Sequence, residues 1–266
     1  MTQQQRNGDM TGLLAGDFAR RNDASFAWGN ASSYYQALPG LRAYWPMGPN
    51  KLAGGVSYAV DVACGYHLAL VNDPKFSIYG AVAPYIDFVA ATSQELTYAD
   101  DPQFDILGTE AYVASPGLTT GAWVWFDAPS MGAFTGLLTK YNAAGNQRAW
   151  RFIKTDTDHI AIGLSPDGIA LSNYNGSLIV DGRWYFVAAK WVPGVSVSIW
   201  VNNTITTAAT AVAALFNSTE PLRSGRLPPA LYLDGRISHQ FVCASALPDT
   251  TISALYYLTY PLFYGD

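Results

Sequence analysis

After residue 40, apolar and polar residues alternate along short segments that are typical of β-strands. The segment Val195–Val201 shows this pattern clearly. Its valines and Ile199 fall on one face of a strand, and its serines and Trp200 fall on the other. Similar segments rich in Val, Ile, Tyr, Trp and Phe recur along the chain. We predict strands at Leu41–Trp45, Gly121–Phe126, Gly136–Lys140, Ala149–Ile153, His159–Leu164, Trp184–Trp191 and Val195–Val201.

Turn residues separate these segments, for example Pro166-Asp167-Gly168 and Pro193-Gly194. The pair Asn202-Asn203 suits a tight hairpin, because asparagine tolerates a positive φ. We therefore expect Val195–Val201 to pair with Thr204–Ala209. Short strands at intervals of about 8–12 residues predict an all-β fold, either an antiparallel sandwich or a barrel.

The late part of the chain predicts a strand followed by a helix. In the closing strand, Ile237, Gln240 and Val242 cannot share one face, so we expect a bulge near His239. A short helix over Thr251–Leu258, capped by Asp249 or Thr250, would pack on the sheet edge through its Ile, Leu and Tyr side chains (Ile252, Leu255 and Tyr256).

The first 40 residues are polar and differ from the rest. We interpret residues 1–40 as an extended attachment arm and residues 41–266 as the sandwich. The aromatic side chains of the arm are its expected contacts with a neighbouring protein: Phe26, Trp28, Tyr34 and Tyr35.

Composition narrows the function classes. Only 13% of the residues are charged, against about 25% in an average soluble domain. The net charge is -5 and no basic patch is visible, which argues against nucleic-acid binding. No apolar run approaches the length that a membrane span needs. The start, MTQQQRNGDMTGLL, has no apolar signal region, so we expect synthesis in the cytoplasm without a signal peptide. In a reducing compartment Cys64 and Cys243 are expected to be free, buried thiols.

Six stretches carry a family resemblance in their order and spacing. They are LRAYWPM (Leu41–Met47), AVAPYIDFVAATSQELTYADDPQFDI (Ala81–Ile106), TTGAWVWFDAPS (Thr119–Ser130), GLLTKYNAAGNQRAWRFIK (Gly136–Lys154), DGRWYFVAAKWVPGVSVSIWVNN (Asp181–Asn203) and LYLDGRISHQFVCASALPDTTISALY (Leu231–Tyr256). In this order they resemble the opening strand, a strand with the loop after it, the long central strand, the next pair of strands, a strand with its hairpin, and the closing strand with its helix in laminin-G-like, concanavalin A-like lectin/glucanase domains. The resemblance spans roughly Leu41–Leu262 and implies an antiparallel β-sandwich of the jelly-roll type.

The glucanase relatives in that family use two glutamates that flank an aspartate on one strand. This chain has only three glutamates, and none lies within five residues of another: Glu95, Glu110 and Glu220. We therefore predict that the protein is not an enzyme. Many relatives also bind calcium through loop carboxylates. The corresponding candidates are Asp61, Asp87, Asp100 and Asp101, but the closing strand has Ser238-His239 where the family has Asp-Glu.

Glycan sites combine aromatic rings with amide side chains, and two neighbouring stretches offer both. The candidates are Tyr141, Asn142, Asn146, Gln147, Trp150, Asn173, Tyr174 and Asn175. For any one of these residues, a turn or a core position is the alternative interpretation.

We predict a non-catalytic, lectin-like docking module of a large assembly, and specifically a bacteriophage virion accessory protein on a capsid or tail. Its partners would be neighbouring virion proteins, reached through the arm, and a host-surface glycan. A homo-oligomer, preferably a trimer, is expected. The alternatives are a free carbohydrate-binding module and, less favoured, a glycoside hydrolase relative.

Overall fold

The computed structural model describes residues 31–51, 57–79, 83–110 and 113–264. Nearly all of the regular structure is β-strand. The strands are β1 (Leu41–Trp45), β2 (Pro49–Lys51), β3 (Ser57–Ala59), β4 (Leu68–Val71), β5 (Lys75–Tyr79), β6 (Ala83–Phe88), β7 (Glu95–Tyr98), β8 (Leu118–Phe126), β9 (Thr135–Asn142), β10 (Gln147–Lys154), β11 (His159–Gly168), β12 (Ser172–Leu178), β13 (Trp184–Val192), β14 (Ser196–Val201), β15 (Thr204–Ala209), β16 (Leu222–Ser224), β17 (Arg226–Leu227), β18 (Leu231–Tyr232) and β19 (Gly235–Cys243).

Helices are few in the described part. Residues 31–36 are helical, and the C-terminal helix runs over Asp249–Tyr264. Short 3-10 turns lie at Ala90–Thr92, Pro102–Phe104, Ala128–Ser130 and Ala144–Asn146. No helix among the described residues has both the length and the apolar character that a membrane span requires.

Two antiparallel sheets form the sandwich. One has eight strands in the order β15-β14-β13-β8-β19-β6-β5, with β1 also paired to β19; the other has nine in the order β12-β11-β10-β9-β16-β7-β4-β3-β2. The main core lies between them and takes side chains from both, for example Val124 and Val187 from one sheet and Trp150 and Phe152 from the other. The predicted all-β antiparallel sandwich is confirmed.

The alternation predicted for β14 is also confirmed. Val197 and Ile199 enter the core between the sheets, whereas Trp200 lies in a second apolar cluster on the other face of the eight-stranded sheet. Val201 pairs with Thr204 across the predicted Asn202-Asn203 turn, and Asn202 has the expected positive φ of 54°.

The C-terminal helix is longer than predicted and sits elsewhere. It extends to Tyr264 and covers the outer face of the eight-stranded sheet rather than its edge. The ring of Phe263 stacks on that of Trp123 at 4.3 Å, and Trp123 Nε1 donates a hydrogen bond of 2.7 Å to Thr259 Oγ1. The reason is that this sheet carries large apolar side chains on both faces, so each face needs a cover.

The expected bulge near His239 is confirmed. The register of β19 against β8 shifts between Ser238 and Phe241, and His239 has a φ of 46°. The bulge directs His239 toward the outer cluster, where its Nδ1 lies 2.7 Å from Tyr44 Oη. Gln240 points to the opposite side and donates to the carbonyl of Leu137.

The helical segment 31–36 corrects the prediction of an extended arm. Tyr35 is fully buried, and Tyr34 packs against the same outer cluster. Tyr35 therefore contacts the protein's own sandwich and cannot serve as an attachment contact in this conformation. Phe26 and Trp28 lie outside the described residues. Cys64 and Cys243 are free, as predicted, although Cys64 is exposed rather than buried.

Candidate functional site

A second β-bulge shapes the outer face of the nine-stranded sheet. The register of β10 shifts between Arg148 and Trp150 against both of its neighbours, β9 and β11. Residues three apart on a regular strand point to opposite faces. Because the bulge adds one residue, Arg148 and Arg151 point to the same, outer face while Trp150 turns into the core.

The guanidinium group of Arg151 lies over two aromatic rings on this face. The carbon of its guanidinium group is 5.2 Å from the ring centroid of Tyr141 and 5.8 Å from that of Phe134. Its Nη2 donates a hydrogen bond of 3.0 Å to Asn173 Oδ1. The attraction between the cation and the rings, together with this hydrogen bond, favours one orientation of the guanidinium.

Gly163, on the intervening strand β11, makes this arrangement possible. It pairs with Arg151 on one side and with Asn173 on the other. A Cβ atom at this position would lie only 2.9 Å from Asn173 Oδ1 and 3.0 Å from Arg151 Nε. The missing side chain therefore leaves room for Arg151 to reach across to Asn173.

Exposed amides complete the surface. Asn173 and Asn175 alternate on β12 and are both exposed, with Asn175 beside Ala161 of the small outer cluster. The Nδ2 of Asn173 makes no hydrogen bond with the described residues, because the amide uses only its oxygen toward Arg151. We call this surface the β10–β12 platform, defined by Phe134, Tyr141, Arg148, Arg151, Asn173 and Asn175.

The platform is electrostatically unbalanced. No carboxylate of the described residues lies within 4.0 Å of the nitrogens of Arg148 or Arg151. Burial lowers the pKa of Arg151, and the neighbouring charge of Arg148 lowers it further, while Tyr141 acts in the opposite direction. The protein therefore holds two like charges on one face without compensating them.

The structure separates the predicted glycan residues into three groups. Tyr141, Asn173 and Asn175 meet on the platform, where the two amides are exposed but the Tyr141 ring is 7% exposed beneath Arg151, so it supports the arginine rather than offering a free ring to a sugar. Asn142 and Gln147 lie at the β9–β10 hairpin, where Asn142 donates to Glu220 and Gln147 accepts from Thr219. These amides hold the loop at 218–220 in place. The exposed Asn146 stands at the hairpin turn with a φ of 56° and faces Arg148.

The remaining two candidates are corrected. Trp150 is completely buried between the sheets, so it cannot stack on a sugar ring. Tyr174 packs against the same core and its hydroxyl contacts Thr210 Oγ1 at 2.6 Å. Its exposed neighbours on β12 face the other way because side chains alternate along a strand.

Sequence reasoning missed Phe134, Arg148 and Arg151. The stretch QRAWRFIK contains both arginines. On a regular strand, however, their spacing of three places them on opposite faces, so only knowledge of the bulge would have joined them.

The calcium candidates are not gathered into a site. Asp61 is buried, and its carboxylate accepts hydrogen bonds from the backbone N–H groups of Tyr44, Ala63, Cys64 and Tyr66. Asp87 pairs with Arg236 at 3.2 Å. Asp101 caps a 3-10 turn by accepting from the N–H of Gln103. These oxygens already have protein donors, so the calcium prediction finds no support here.

The fourth candidate, Asp100, faces a buried lysine. Lys140 Nζ lies 2.5 Å from Asp100 and 3.1 Å from Asp105, and its side chain is 1% exposed. The ammonium group supplies the positive charge at this carboxylate pair. Within the described ranges, no three His, Cys, Asp or Glu side chains form a group that could hold a metal ion.

The three glutamates are each engaged by protein groups. Glu95 pairs with Arg226 at 2.9 Å, and Glu220 with Arg223 at 2.8 Å. Glu110 accepts from the backbone N–H groups of Leu107 and Gly108. None of these contacts resembles the two facing carboxyl groups of a glycosidase, which lie about 5–10 Å apart across a cleft.

An open cleft of about 570 Å³ lies elsewhere, between the segment 31–36 and the loop at Cys64, and is also lined by Arg42 and Val113. Although Cys64 is exposed, the partial desolvation of its thiol and the nearby Asp61 carboxylate raise the thiol pKa, which favours the protonated, weakly nucleophilic form. Arg42 donates to Gln103 at 3.3 Å. The cleft presents a protonated thiol and one arginine, whereas the β10–β12 platform presents two arginines and two exposed amides on one face. The platform is therefore the candidate site.

Comparison with protein-family models and with curated protein sequences finds no match. Solved structures with a similar fold are found. One is the ligand-binding domain of botulinum neurotoxin serotype D in complex with N-acetylneuraminic acid, with a TM-score of 0.60 and 9% identity over 85% of this chain and 52% of that chain. Another is the binding domain of botulinum neurotoxin DC in complex with rat synaptotagmin II, with a TM-score of 0.57 and 11% identity over 83% of this chain and 52% of that chain.

The binding domain of Paraclostridial Mosquitocidal Protein 1 is also similar, with a TM-score of 0.58 and 12% identity over 82% of this chain and 52% of that chain. The chain thus spans about half the length of the domains it matches. At 9–12% identity the likeness shows the fold alone. The chain has a β-sandwich fold that is also found in toxin receptor-binding domains.

Proposed function

We propose that the protein is a non-catalytic, lectin-like module that binds glycans on the β10–β12 platform. The observation that carries the proposal is the set of groups at one exposed face. The Arg151 guanidinium lies over two rings, with the two exposed amides of Asn173 and Asn175 on the strand β12. The guanidinium and amide groups are planar hydrogen-bonding groups with fixed directions. They suit a sugar because its hydroxyl groups need several directed hydrogen bonds.

The structural neighbours support the same class of function. One is described in complex with N-acetylneuraminic acid and another with rat synaptotagmin II, and this chain matches about half of each of those binding domains. All three glutamates are bound by arginines or backbone N–H groups of the protein, which is consistent with a module without glycosidase activity.

Glycan-array binding of the purified protein tests the proposal, followed by titration of the best ligand against variants. Asn173→Ala removes the amide that faces Arg151, and Asn175→Ala removes its exposed neighbour. We expect each variant to lower affinity. Asn203→Ala, in the β14–β15 turn on the other sheet, is the matched control and should leave affinity unchanged. No binding to any glycan, or equal loss in the control, would contradict the proposal.

Placement on a bacteriophage virion remains a proposal from the sequence. It was motivated by the proposed attachment arm, but Tyr35 of that arm is buried in the protein's own sandwich. Two other proposed contacts, Phe26 and Trp28, lie outside the described residues. Sedimentation of the native source, with peptides of this chain followed by mass spectrometry, tests it. Recovery in megadalton, nucleic-acid-containing fractions supports a virion component. Recovery only as a small species contradicts both the virion and the docking role.

A further inference from the structure

We infer that the ligand of the β10–β12 platform is an acidic sugar, one whose carboxylate or sulfate group pairs with Arg148 and Arg151. This inference rests on the proposed glycan-binding function and adds the charge of the ligand. It follows from two observations: both arginines point to the same outer face, and no described carboxylate lies within 4.0 Å of either.

Three other arginines of the same protein are neutralised by carboxylates of the protein itself. Arg223, Arg226 and Arg236 pair with Glu220, Glu95 and Asp87 at 2.8, 2.9 and 3.2 Å. Among the described residues, by contrast, Arg148 donates to two neutral oxygens, the carbonyl of Gly168 at 3.2 Å and Asn146 Oδ1 at 3.4 Å. The platform differs from these three sites because it holds two arginines on one face, and no described carboxylate lies within 4.0 Å of either.

The fold brings these charges together although they repel each other. The β10 bulge turns both side chains to one face, and Arg148 is the cross-strand partner of Tyr141, the ring on which Arg151 lies. Two cations on one partly buried face cost free energy unless an anion joins them. In a protein with a net charge of -5, such a face is also a local exception that attracts an anionic ligand.

The orientation of Arg151 suits a planar anion. Its Nη2 is used by Asn173, its Nε is buried without an acceptor, and its Nη1 makes no hydrogen bond with the described residues. Nη1 can therefore donate to a carboxylate or sulfate oxygen. Such charge-assisted hydrogen bonds are stronger than those between neutral groups. The free Nδ2 of Asn173 and the amide of Asn175 would then hold hydroxyl groups of the same sugar.

The test compares acidic sugars with uncharged forms of the same sugars. Oligogalacturonate and sialyllactose are each titrated against their methyl esters, which keep the sugar rings but remove the negative charge. A heparin-derived oligosaccharide represents sulfated sugars. We expect an acidic member to bind more tightly than its neutral partner, and binding to weaken as salt is raised. Preference for carboxylated or for sulfated sugars identifies which acidic group the platform takes.

Variants locate the effect. Arg151→Gln and Arg148→Gln should each lower affinity for the acidic sugar about tenfold or more, and should narrow its advantage over the neutral partner. Lys75→Gln, which removes one positive charge from an exposed side chain on the other sheet, is the matched control and should have little effect. Far-ultraviolet circular dichroism and thermal unfolding confirm that each variant is folded.

The outcomes separate the two claims. Equal affinity for charged and neutral partners, unaffected by the arginine variants but reduced by Asn173→Ala, would overturn the acidic-sugar inference and leave glycan binding intact. Equal weakening by Lys75→Gln would mean attraction by overall charge and would also overturn it. Absence of binding to every sugar, neutral or acidic, would overturn the proposed function itself.

Discussion

The ring of Tyr35 stacks on the ring of Tyr44 with centroids 4.3 Å apart and planes only 8° from parallel. The helical segment 31–36 is thereby joined to β1 and to the aromatic layer beneath the C-terminal helix. Tyr35 is fully buried, so its ring contributes to the stability of the sandwich itself.

Tyr35→Ala is therefore expected to lower the free energy of unfolding by about 3–5 kcal/mol, the usual cost of removing a buried aromatic ring. Tyr35→Phe keeps the ring and should cost much less. Urea unfolding followed by tryptophan fluorescence measures both. A loss of less than about 1 kcal/mol for Tyr35→Ala would contradict the assignment of this residue to the core.

His239 predicts a dependence of stability on pH. Burial lowers its pKa to about 3, and the rings around it include Tyr35, Tyr44 and Phe263. Unfolded His239 takes up a proton below about pH 6.5, whereas the folded protein does so only near pH 3. The unfolded state therefore binds more protons between these values, and stability is lost as the pH falls through this window.

His239→Asn tests this dependence. Asparagine tolerates the positive φ at this position and does not titrate. We expect the free energy of unfolding of the variant to change less between pH 6.5 and pH 4 than that of the native protein. Parallel pH profiles of the two proteins would show that His239 does not contribute.

The buried ammonium of Lys140 is expected to be necessary for folding. Lys140→Met removes the charge that faces Asp100 and Asp105, and breaking a buried pair of this kind costs about 3–5 kcal/mol. Lys75→Met breaks an exposed pair with Asp73, whose side chains are 69% and 76% exposed, and should cost less than about 1 kcal/mol. Similar losses from both variants would contradict the buried role of Lys140.

Asp61 is expected to organise its loop without a metal. Asp61→Asn replaces one carboxylate oxygen with an NH2 group that faces N–H donors, so we expect a loss of about 2–3 kcal/mol. The exposed Asp156→Asn is the control and should change little. Addition of calcium or of a chelator should leave thermal unfolding of the native protein unchanged. A calcium-dependent rise in Tm would restore the metal prediction.

Gly163→Ala is expected to disturb the platform but not the sandwich. Its Cβ would approach Asn173 and Arg151 within about 3 Å, so their side chains must move. Affinity for the glycan should fall, while the free energy of unfolding should change by about 1 kcal/mol or less. Gly48→Ala, which points into open space, is the control. Unchanged affinity for Gly163→Ala would argue against the platform as the binding site.

The sequence predicts the long strands well because their apolar content and their period of two are strong. β1 and β15 have the predicted bounds, and β13 differs by one residue at one end. The short strands β2, β3 and β16 were not predicted, because each has only three residues and its position is fixed by its sheet neighbours.

The candidate site was predicted only in part, for a related reason. Residue type identified Tyr141, Asn173 and Asn175, but it does not determine which face of the sheet an aromatic ring occupies: Tyr141 lies on the outer face and Trp150 in the core between the sheets. Trp150 stands only two residues from Arg148, and the bulge between them decides which of the two is buried. Local sequence does not specify that choice; the packing of three strands does.

The position of β19 has a consequence for how the chain folds. This strand lies in the middle of its sheet, where Gly235 pairs with both Phe126 of β8 and Phe88 of β6, and Cys243 pairs with Leu41 of β1. Its partners are thus more than 100 residues earlier in the chain. Closing such long loops is slow, and until residue 243 has left the ribosome the aromatic-rich edges of β8 and β6 have no partner. During synthesis, β6 and β8 therefore keep unpaired edges that can aggregate until β19 is made and completes the centre of the sheet.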